Sequence, residues 1–169
     1  MACACSTAWC GTISRPGGGG VAEIGFYHLT RTPLAQALPR LLGRVLESGG
    51  RAVVLCGGPE RLAALDASLW LSTDPDWLPH GTPAVGHAEL QPIWLTTEDE
   101  APNGARFLFL VDGAESARLD RFDRVLDLFD GNDAEATEAA RDRWRRAKAA
   151  GHALTYWQQG ARGWEKKAG

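Results

Sequence analysis

The chain has 169 residues, of which 44% are hydrophobic and 23% are charged, and its formal net charge is -3. These values are typical of one globular domain, and no apolar run approaches the roughly 18 residues that a membrane-spanning helix needs, so no membrane partner is expected. The near-neutral balance also excludes a chain that is basic throughout, as a broad nucleic-acid-binding surface requires.

Residues 1–20 contain no apolar periodicity and end in four consecutive glycines, Gly17–Gly20. Such a segment cannot bury enough surface to offset the loss of chain entropy, so we predict a disordered N-terminal extension. It lacks the basic and then apolar order of a secretory signal, which indicates a cytoplasmic protein. Its cysteines, Cys3, Cys5 and Cys10, miss the paired spacing of a zinc site, so we predict no metal and no cofactor.

Residues 21–169 read as one domain in which strand-like and helix-like segments alternate. In chain order, the apolar patterns predict a strand at 21–29, a helix at 33–48, a strand at 51–56, a helix at 59–71, strands at 91–97 and 105–113, helices at 116–131 and 133–150, and a short strand at 152–157 before a polar tail. Pro39 lies inside the first helix and should bend or interrupt it. The alternation predicts a Rossmann-like, three-layer α/β domain with a mixed, mostly parallel sheet flanked by helices.

Motifs of nucleotide-binding and catalytic sites are incomplete. The turn at 57–59 follows a strand, where a phosphate-binding loop would lie, but it lacks the Gly-Lys-Ser/Thr ending. Asp112 ends a strand, where open sheets often hold a catalytic carboxylate, although a cap on the following helix is a simpler role. His28 and His80 have no neighbouring Ser or Cys nucleophile. We therefore predict no enzymatic activity and keep a nucleotide-binding α/β enzyme as an alternative.

The sequence ARDRWRRAKAAG carries the most informative pattern. On a helix, Arg141, Arg145 and Lys148 follow i, i+4, i+7 spacing, and Trp144 falls on the same stripe. Such a stripe is either a solvated face whose tryptophan points to the core, or a site for a short acidic peptide with an apolar end. Single-stranded DNA could use the same chemistry, but residues 98–138 carry twelve acidic and four basic residues, a net charge of −8 that would repel its phosphates.

Two tryptophans, Trp70 and Trp77, lie on either side of the sequence STDPD. Ser, Asp and Pro favour a surface loop, because they hydrogen-bond locally or fix φ. A tryptophan beside such a loop either pins it to the core or faces a partner. The alternatives are therefore an apolar partner surface, or a loop in which Trp70 belongs to the core and Trp77 alone is exposed.

The order of five motifs along the chain resembles the chi subunit family of the bacterial DNA polymerase III holoenzyme. The motifs are FYHL at 26–29, LDASLW at 65–70, WLPHG at 77–81, FLVDG at 109–113 and ARDRWRRAKAAGHALTYWQQ from 140 onward. The resemblance covers residues 23–168. It implies a mixed α/β fold and a non-catalytic accessory subunit that links the clamp loader to the single-stranded DNA-binding protein, SSB, in DNA replication.

The resemblance implies that the helix containing the basic stripe binds the acidic C-terminal tail of SSB, which ends in Pro-Phe. By position, Arg141 would bind the terminal carboxylate, with Trp144, Arg145 and Lys148 around it. Thr137 stands where the family uses a lysine, so we expect the acidic part of the tail to be held less firmly. Single-stranded DNA would then be reached mainly through SSB.

The resemblance implies a second site, an apolar surface for the psi subunit of the clamp loader or, alternatively, for a helicase. The corresponding residues in this chain are Trp70, Leu71, Trp77, Leu78 and Pro79. The family more often has Phe where Trp77 stands, which leaves the identity of this partner open.

Overall fold

The computed structural model describes residues 21–169, and the extension predicted to be disordered, residues 1–20, lies outside the described residues. The strands are Glu23–Leu29 (β1), Ala52–Cys56 (β2), His80–Gly81 (β3), Ile93–Thr96 (β4), Phe107–Val111 (β5), Arg124–Asp130 (β6), Ala153–Gly160 (β7) and Gly163–Ala168 (β8). The α-helices are Leu34–Glu47 (α1), Pro59–Trp70 (α2) and Ala134–Ala149 (α3). Within residues 21–169, no helix has the length and apolar content needed to cross a membrane.

All eight strands belong to one sheet, in the order β3-β4-β2-β5-β6-β1-β7-β8. Neighbouring strands are parallel, except that β7 and β8 are antiparallel. Parallel neighbours need crossover connections, and α1, α2 and α3 lie in such connections. The predicted α/β domain with a mixed, mostly parallel sheet flanked by helices is confirmed.

The helices divide between the two faces of the sheet and bury two apolar cores. On one face, residues of α1 and α2 such as Leu38 and Leu65 pack with Val54 of β2. On the other face, Ala140 of α3 belongs to the same buried cluster as Phe26 and Val125. The sheet therefore separates α3 from α1 and α2, and surfaces formed by these two helical layers lie on opposite sides of the molecule.

Of the prediction that Pro39 bends or interrupts the first helix, the interruption is wrong. α1 continues from Leu34 to Glu47 and buries Pro39 beside Leu38 and Leu42. Burial of this strongly amphipathic face against the sheet stabilises the helix enough to tolerate the backbone hydrogen bond that proline cannot donate.

The prediction of a helix over 116–131 is wrong, because most of that segment is β6, preceded by a single 3-10 turn at Leu119–Arg121. Val125 to Phe129 are all buried, since β6 lies inside the sheet with helices on both faces. A short apolar run buried on both faces shows no alternation, so its spacing can also fit a helix. Because no helix follows Asp112 directly, its predicted capping role is wrong as well.

The polar tail after 157 also contains structure that was not predicted. β7 continues to Gly160, and a two-residue connection leads into β8 at Gly163. The ring of Trp164 in β8 packs edge-on against Tyr27, with the ring centroids 5.0 Å apart. This contact anchors β8 to the core on the α1 side of the sheet.

Candidate functional site

Helix α3 carries the predicted peptide-binding residues, and its first turn is capped by Asp133. The Asp133 carboxylate accepts hydrogen bonds from the backbone N–H groups of Glu135 at 2.9 Å and Ala136 at 3.3 Å. Basic residues occupy the last turn, where they complement the helix dipole. Residues at or next to each end of α3 therefore stabilise both of its ends.

A buried ion pair fixes α3 to the sheet. The guanidinium of Arg143 donates two hydrogen bonds to Asp127 of β6, at 2.6 and 2.9 Å, and the side chains are only 9% and 4% exposed. Burial raises the pKa of Asp127, while the hydrogen bonds from Arg143 oppose that rise. This pair was not predicted from the sequence, although Asp127 is the one charged residue inside the apolar run VLDLF.

Arg141, Trp144, Arg145 and Lys148 follow one stripe along α3, here called the β7 flank because the Trp144 ring in this stripe contacts Tyr156 of β7. Trp144 is half-buried and packs edge-on against Phe26, with ring centroids 5.2 Å apart, whereas the three cationic side chains are exposed. Trp144 therefore contributes to the core, and its half-buried ring also lines this flank.

Acidic residues of α3 already pair with two of these cations. Arg141 lies 3.0 Å from Glu138, while Arg145 lies 2.6 Å from Asp142 and 3.6 Å from Glu138. All four side chains are more than half exposed, so each pair contributes little to stability. Lys148 forms no ion pair with any residue in 21–169. A ligand with several carboxylates can therefore replace the intrahelical partners.

Tyr156 of β7 adjoins this flank and was not predicted as a site residue. Its ring lies edge-on to that of Trp144, with centroids 6.2 Å apart, and its hydroxyl lies 2.6 Å from Nδ1 of His28. Burial raises the pKa of Tyr156, and the positive charge of Arg141 opposes this rise. The approach of Tyr156 to α3 depends on the pairing of β7 with β1, which local spacing does not reveal.

The second predicted site lies at the end of α2 and in the loop that follows. Trp70, Leu71 and Trp77 are 64%, 82% and 71% exposed. The alternative in which Trp70 belongs to the core is therefore wrong. Three large apolar side chains lie in solvent within eight residues of sequence, which is typical of a protein-binding surface.

Leu78 differs from its neighbours and corrects part of the prediction. It is 3% exposed and belongs to the core beneath α1 and α2, so it is not available to a partner, and Pro79 beside it is half-buried. Nδ1 of His80 lies 2.7 Å from the Leu78 carbonyl oxygen, and the Trp70 and His80 rings pack at a tilt of 52° with their centroids 4.9 Å apart. Leu78 and the buried His80 therefore hold the loop in place.

The middle of the loop lies against α1. A side chain carbon added to Gly43 would come within 2.9 Å of the Pro75 ring, so a glycine is needed for this close approach. Arg40 of α1 also pairs with Asp74 at 3.1 Å, and the Ser72 hydroxyl donates to the Pro75 carbonyl oxygen at 3.0 Å. These contacts fix the backbone while Trp77 remains in solvent.

The remaining candidates offer little chemistry. Cys56 is buried, and burial raises the pKa of its thiol to about 12, which leaves it unreactive. Asp112 is exposed and pairs with Arg61 at 3.1 Å. No group of three or more His, Cys, Asp or Glu side chains within residues 21–169 could hold a metal ion.

A cleft of about 690 Å³ lies at the carboxyl ends of β1, β5 and β6, where α/β proteins often bind ligands. Its lining carries both charge signs, with Arg31 and Arg61 as well as Asp112, Asp133 and Glu135. These carboxylates disfavour a polyphosphate, so the cleft does not support the nucleotide-binding alternative.

Comparison with known proteins gives the family of the chain. The family model described as "DNA polymerase III chi subunit, HolC" matches residues 21–155, from the start of β1 into β7. A relative named "Probable DNA polymerase III subunit chi", from Rickettsia prowazekii (strain Madrid E), is 25% identical over 97 residues. That match covers 57% of this chain and 59% of the relative's length. Because the family model matches most of the chain, the protein belongs to the DNA polymerase III chi subunit family.

Proposed function

We propose that this chain is a non-catalytic accessory subunit of the DNA polymerase III holoenzyme that binds the acidic C-terminal tail of SSB. The β7 flank of α3 supports the proposal most directly, because it combines three exposed cations with a half-buried aromatic ring. Carboxylates of the tail would bind Arg141, Arg145 and Lys148, while Trp144 would contact its apolar end. The subunit would link SSB to the clamp loader inside the cell.

The acidic residues of α3 count against direct binding of single-stranded DNA. Glu138 and Asp142 lie among the cations and pair with Arg141 and Arg145. A phosphate backbone that follows a basic groove would meet these carboxylates as well as the cations. Single-stranded DNA would therefore be reached mainly through SSB.

A second partner would bind the exposed apolar surface formed by Trp70, Leu71 and Trp77, with Pro79 at its edge. We propose the psi subunit or another clamp-loader or helicase protein for this surface. Large exposed aromatic side chains on a fixed backbone support the assignment, because such residues often supply most of the energy of protein–protein binding. Leu78 would act from beneath, by holding the loop.

The test of the SSB site is the Arg141→Ala substitution. We expect it to weaken binding of an acidic peptide ending in Pro-Phe by about 1.5–3 kcal/mol, the range for a hydrogen bond between charged groups. Isothermal titration calorimetry measures the affinity, and thermal unfolding should show an unchanged midpoint, since the Arg141 side chain is 65% exposed.

The matched control is Arg146→Ala. Arg146 lies on the same helix and is 61% exposed, but it points to the opposite flank and binds Glu115 at 2.6 Å. We expect this variant to bind the peptide as wild type does. Equal losses in both variants, or no loss in Arg141→Ala, would contradict a site on the β7 flank.

A further inference from the structure

We infer that the α1 side of the β7–β8 hairpin is a direct contact site for single-stranded DNA. A base would stack on the indole ring of Trp157, and phosphates would bind Lys166 and Arg31. These three residues and Trp164 are here called the hairpin surface, and none of them belongs to the two proposed protein-binding surfaces. The hairpin residues among them follow residue 155, where the family match ends, and DNA is the nucleic acid expected for a DNA polymerase subunit family.

The register of the hairpin places aromatic and cationic side chains on one face. Trp157 is directly opposite Lys166, and Gln159 is directly opposite Trp164. Directly opposite residues of an antiparallel pair share a face, as do residues two apart on one strand. Trp157 and Trp164 both pack against the core on the α1 side of the sheet. Lys166 therefore lies on the same side of the sheet as the two indole rings.

Tyr27 holds the ring of Trp157 as a flat platform. The two rings stack 10° from parallel with their centroids 6.1 Å apart, and Tyr27 is buried. The edge-on contact of Trp164 with Tyr27 fixes the adjacent ring. Because Tyr27 covers one face of the Trp157 ring, the exposed part of this half-buried side chain is its other face and its rim. Every nucleobase has a flat face that can extend such a stack.

Arg31 lies next to the hairpin in the loop after β1, and Gln159 fixes this loop. The side-chain oxygen of Gln159 accepts hydrogen bonds from the backbone N–H groups of residues 30, 31 and 32, at 3.0, 2.9 and 3.1 Å. The charge of Arg31 also reaches β8, since Lys167 and, to a smaller extent, Arg31 lower the pKa of Glu165. The backbone that carries Arg31 is therefore fixed before any ligand binds, which lowers the entropy cost of binding.

The two cations of the hairpin surface are free to bind phosphates. Arg31 and Lys166 are exposed, and neither forms an ion pair with a residue in 21–169. Glu165 lies on the other face of the hairpin and pairs with Lys167 at 2.7 Å. On α3, by contrast, Glu138 pairs with two of the three exposed cations. The hairpin surface is therefore the better match for a phosphate backbone with unpaired bases, and this contact would add to the route through SSB.

The test compares a labelled thymidine oligonucleotide with an abasic oligonucleotide of equal length, by fluorescence anisotropy with the full chain at low salt. We expect wild type to bind the thymidine oligonucleotide about tenfold more tightly, within the range for one stacked base. Trp157→Ala should lose most of this preference. Lys166→Gln should weaken both oligonucleotides by a similar factor and reduce the salt dependence of binding.

Two variants are matched controls. Trp77→Ala removes a more exposed tryptophan, in a loop whose cation Arg40 already pairs with Asp74. Arg121→Gln removes an exposed cation in the turn before β6, at the opposite end of the sheet from Arg31. We expect both variants to bind the two oligonucleotides as wild type does.

Three results would overturn the inference. The first is a wild type that binds neither oligonucleotide or binds both equally, and the second is a Trp157→Ala variant that keeps the preference. The third is a loss of DNA binding in Arg141→Ala without any loss in Lys166→Gln, which would place DNA on α3. None of these results bears on the SSB-tail site, because that site is tested with a peptide.

A second measurement applies if Trp157→Ala does not fold. In nuclear magnetic resonance spectra of wild type, the thymidine oligonucleotide should shift the indole N–H signals of Trp157 and Trp164. Shifts confined to Trp70 and Trp77 would overturn the inference. Hairpin variants that bind DNA normally but lose a clamp-loader protein in a pull-down would assign the surface to a protein partner and overturn it as well.

Discussion

The two candidate surfaces of this protein differ in how they hold their exposed side chains. On α3, a buried ion pair fixes a regular helix, and two of the three exposed cations, Arg141 and Arg145, already pair with acidic neighbours. After α2, a loop is held by Leu78 and His80, and the exposed residues are tryptophans and a leucine. The first surface suits a charged ligand that exchanges ion pairs, and the second suits an apolar partner that removes surface from water.

The comparison also shows that adjacent residues in one surface can have opposite roles. Arg143 lies between Arg141 and Arg145 in sequence but is buried, and Leu78 follows the exposed Trp77 but belongs to the core. In each surface, a buried residue fixes the backbone while its neighbours remain free to bind. Substitutions of such neighbouring pairs should therefore separate stability from binding.

Arg143→Ala should have the largest effect. It would leave Asp127 buried without its partner and should lower the free energy of unfolding by about 3–5 kcal/mol. Urea unfolding followed by circular dichroism measures the change. The double variant Asp127→Leu/Arg143→Met should recover most of the loss, because an apolar pair of similar size leaves no charge buried. An Arg143→Ala protein as stable as wild type would show that the ion pair does not fix α3.

Trp77→Ala and Leu78→Ala should give opposite results on the other surface. Leu78→Ala should lower the free energy of unfolding by about 2–5 kcal/mol, since it empties part of the core. Trp77→Ala should change stability by no more than about 0.5 kcal/mol, because the ring is 71% exposed.

In a pull-down of purified clamp-loader proteins, Trp77→Ala should weaken binding by at least about 2 kcal/mol. Its affinity for the SSB-tail peptide should stay at the wild-type value, because α3 lies on the other side of the sheet. A strongly destabilised Trp77→Ala, or one that retains its partner, would remove the support for an apolar partner surface.

Glu138→Gln should have the smallest effect and the opposite sign. The substitution removes the carboxylate that pairs with Arg141 and Arg145. The affinity for the acidic peptide should rise by about twofold to fivefold, which corresponds to the free energy of an exposed ion pair. The gain should shrink as salt is added. Glu115→Gln, which frees Arg146 on the opposite flank, should leave the affinity unchanged. A gain in both variants would indicate a general charge effect and not competition at the site.

Much of the fold could be predicted because most elements have local signals. β1, β2 and α2 have the composition or apolar spacing of their class, and Asp133 and Gly151 mark the ends of α3. β6 could not be assigned in the same way, because a strand buried on both faces has no alternation. Its parallel neighbours, β1 and β5, become visible only in the assembled sheet.

The candidate sites show the same difference between features with a local sequence signal and features that depend on distant contacts. The stripe of Arg141, Arg145 and Lys148 follows from helical periodicity, so it was available from the sequence. The contact of Tyr156 with Trp144 depends on the register of β7 against β1, and the burial of Leu78 depends on the packing of α1 and α2. Contacts between distant segments determine the shape of a site, and such contacts cannot be read from local sequence patterns.

The position of the helical layers has a consequence for how two partners could act together. α3 and the α1–α2 pair lie on opposite faces of the sheet, so partners bound to the two surfaces would be separated by the sheet itself. Neither partner would have to leave for the other to bind. Where the two partners belong to one assembly, binding through one surface would raise the effective concentration of the chain at the other partner, so weak individual affinities would suffice for durable attachment and would still permit rapid exchange at either end.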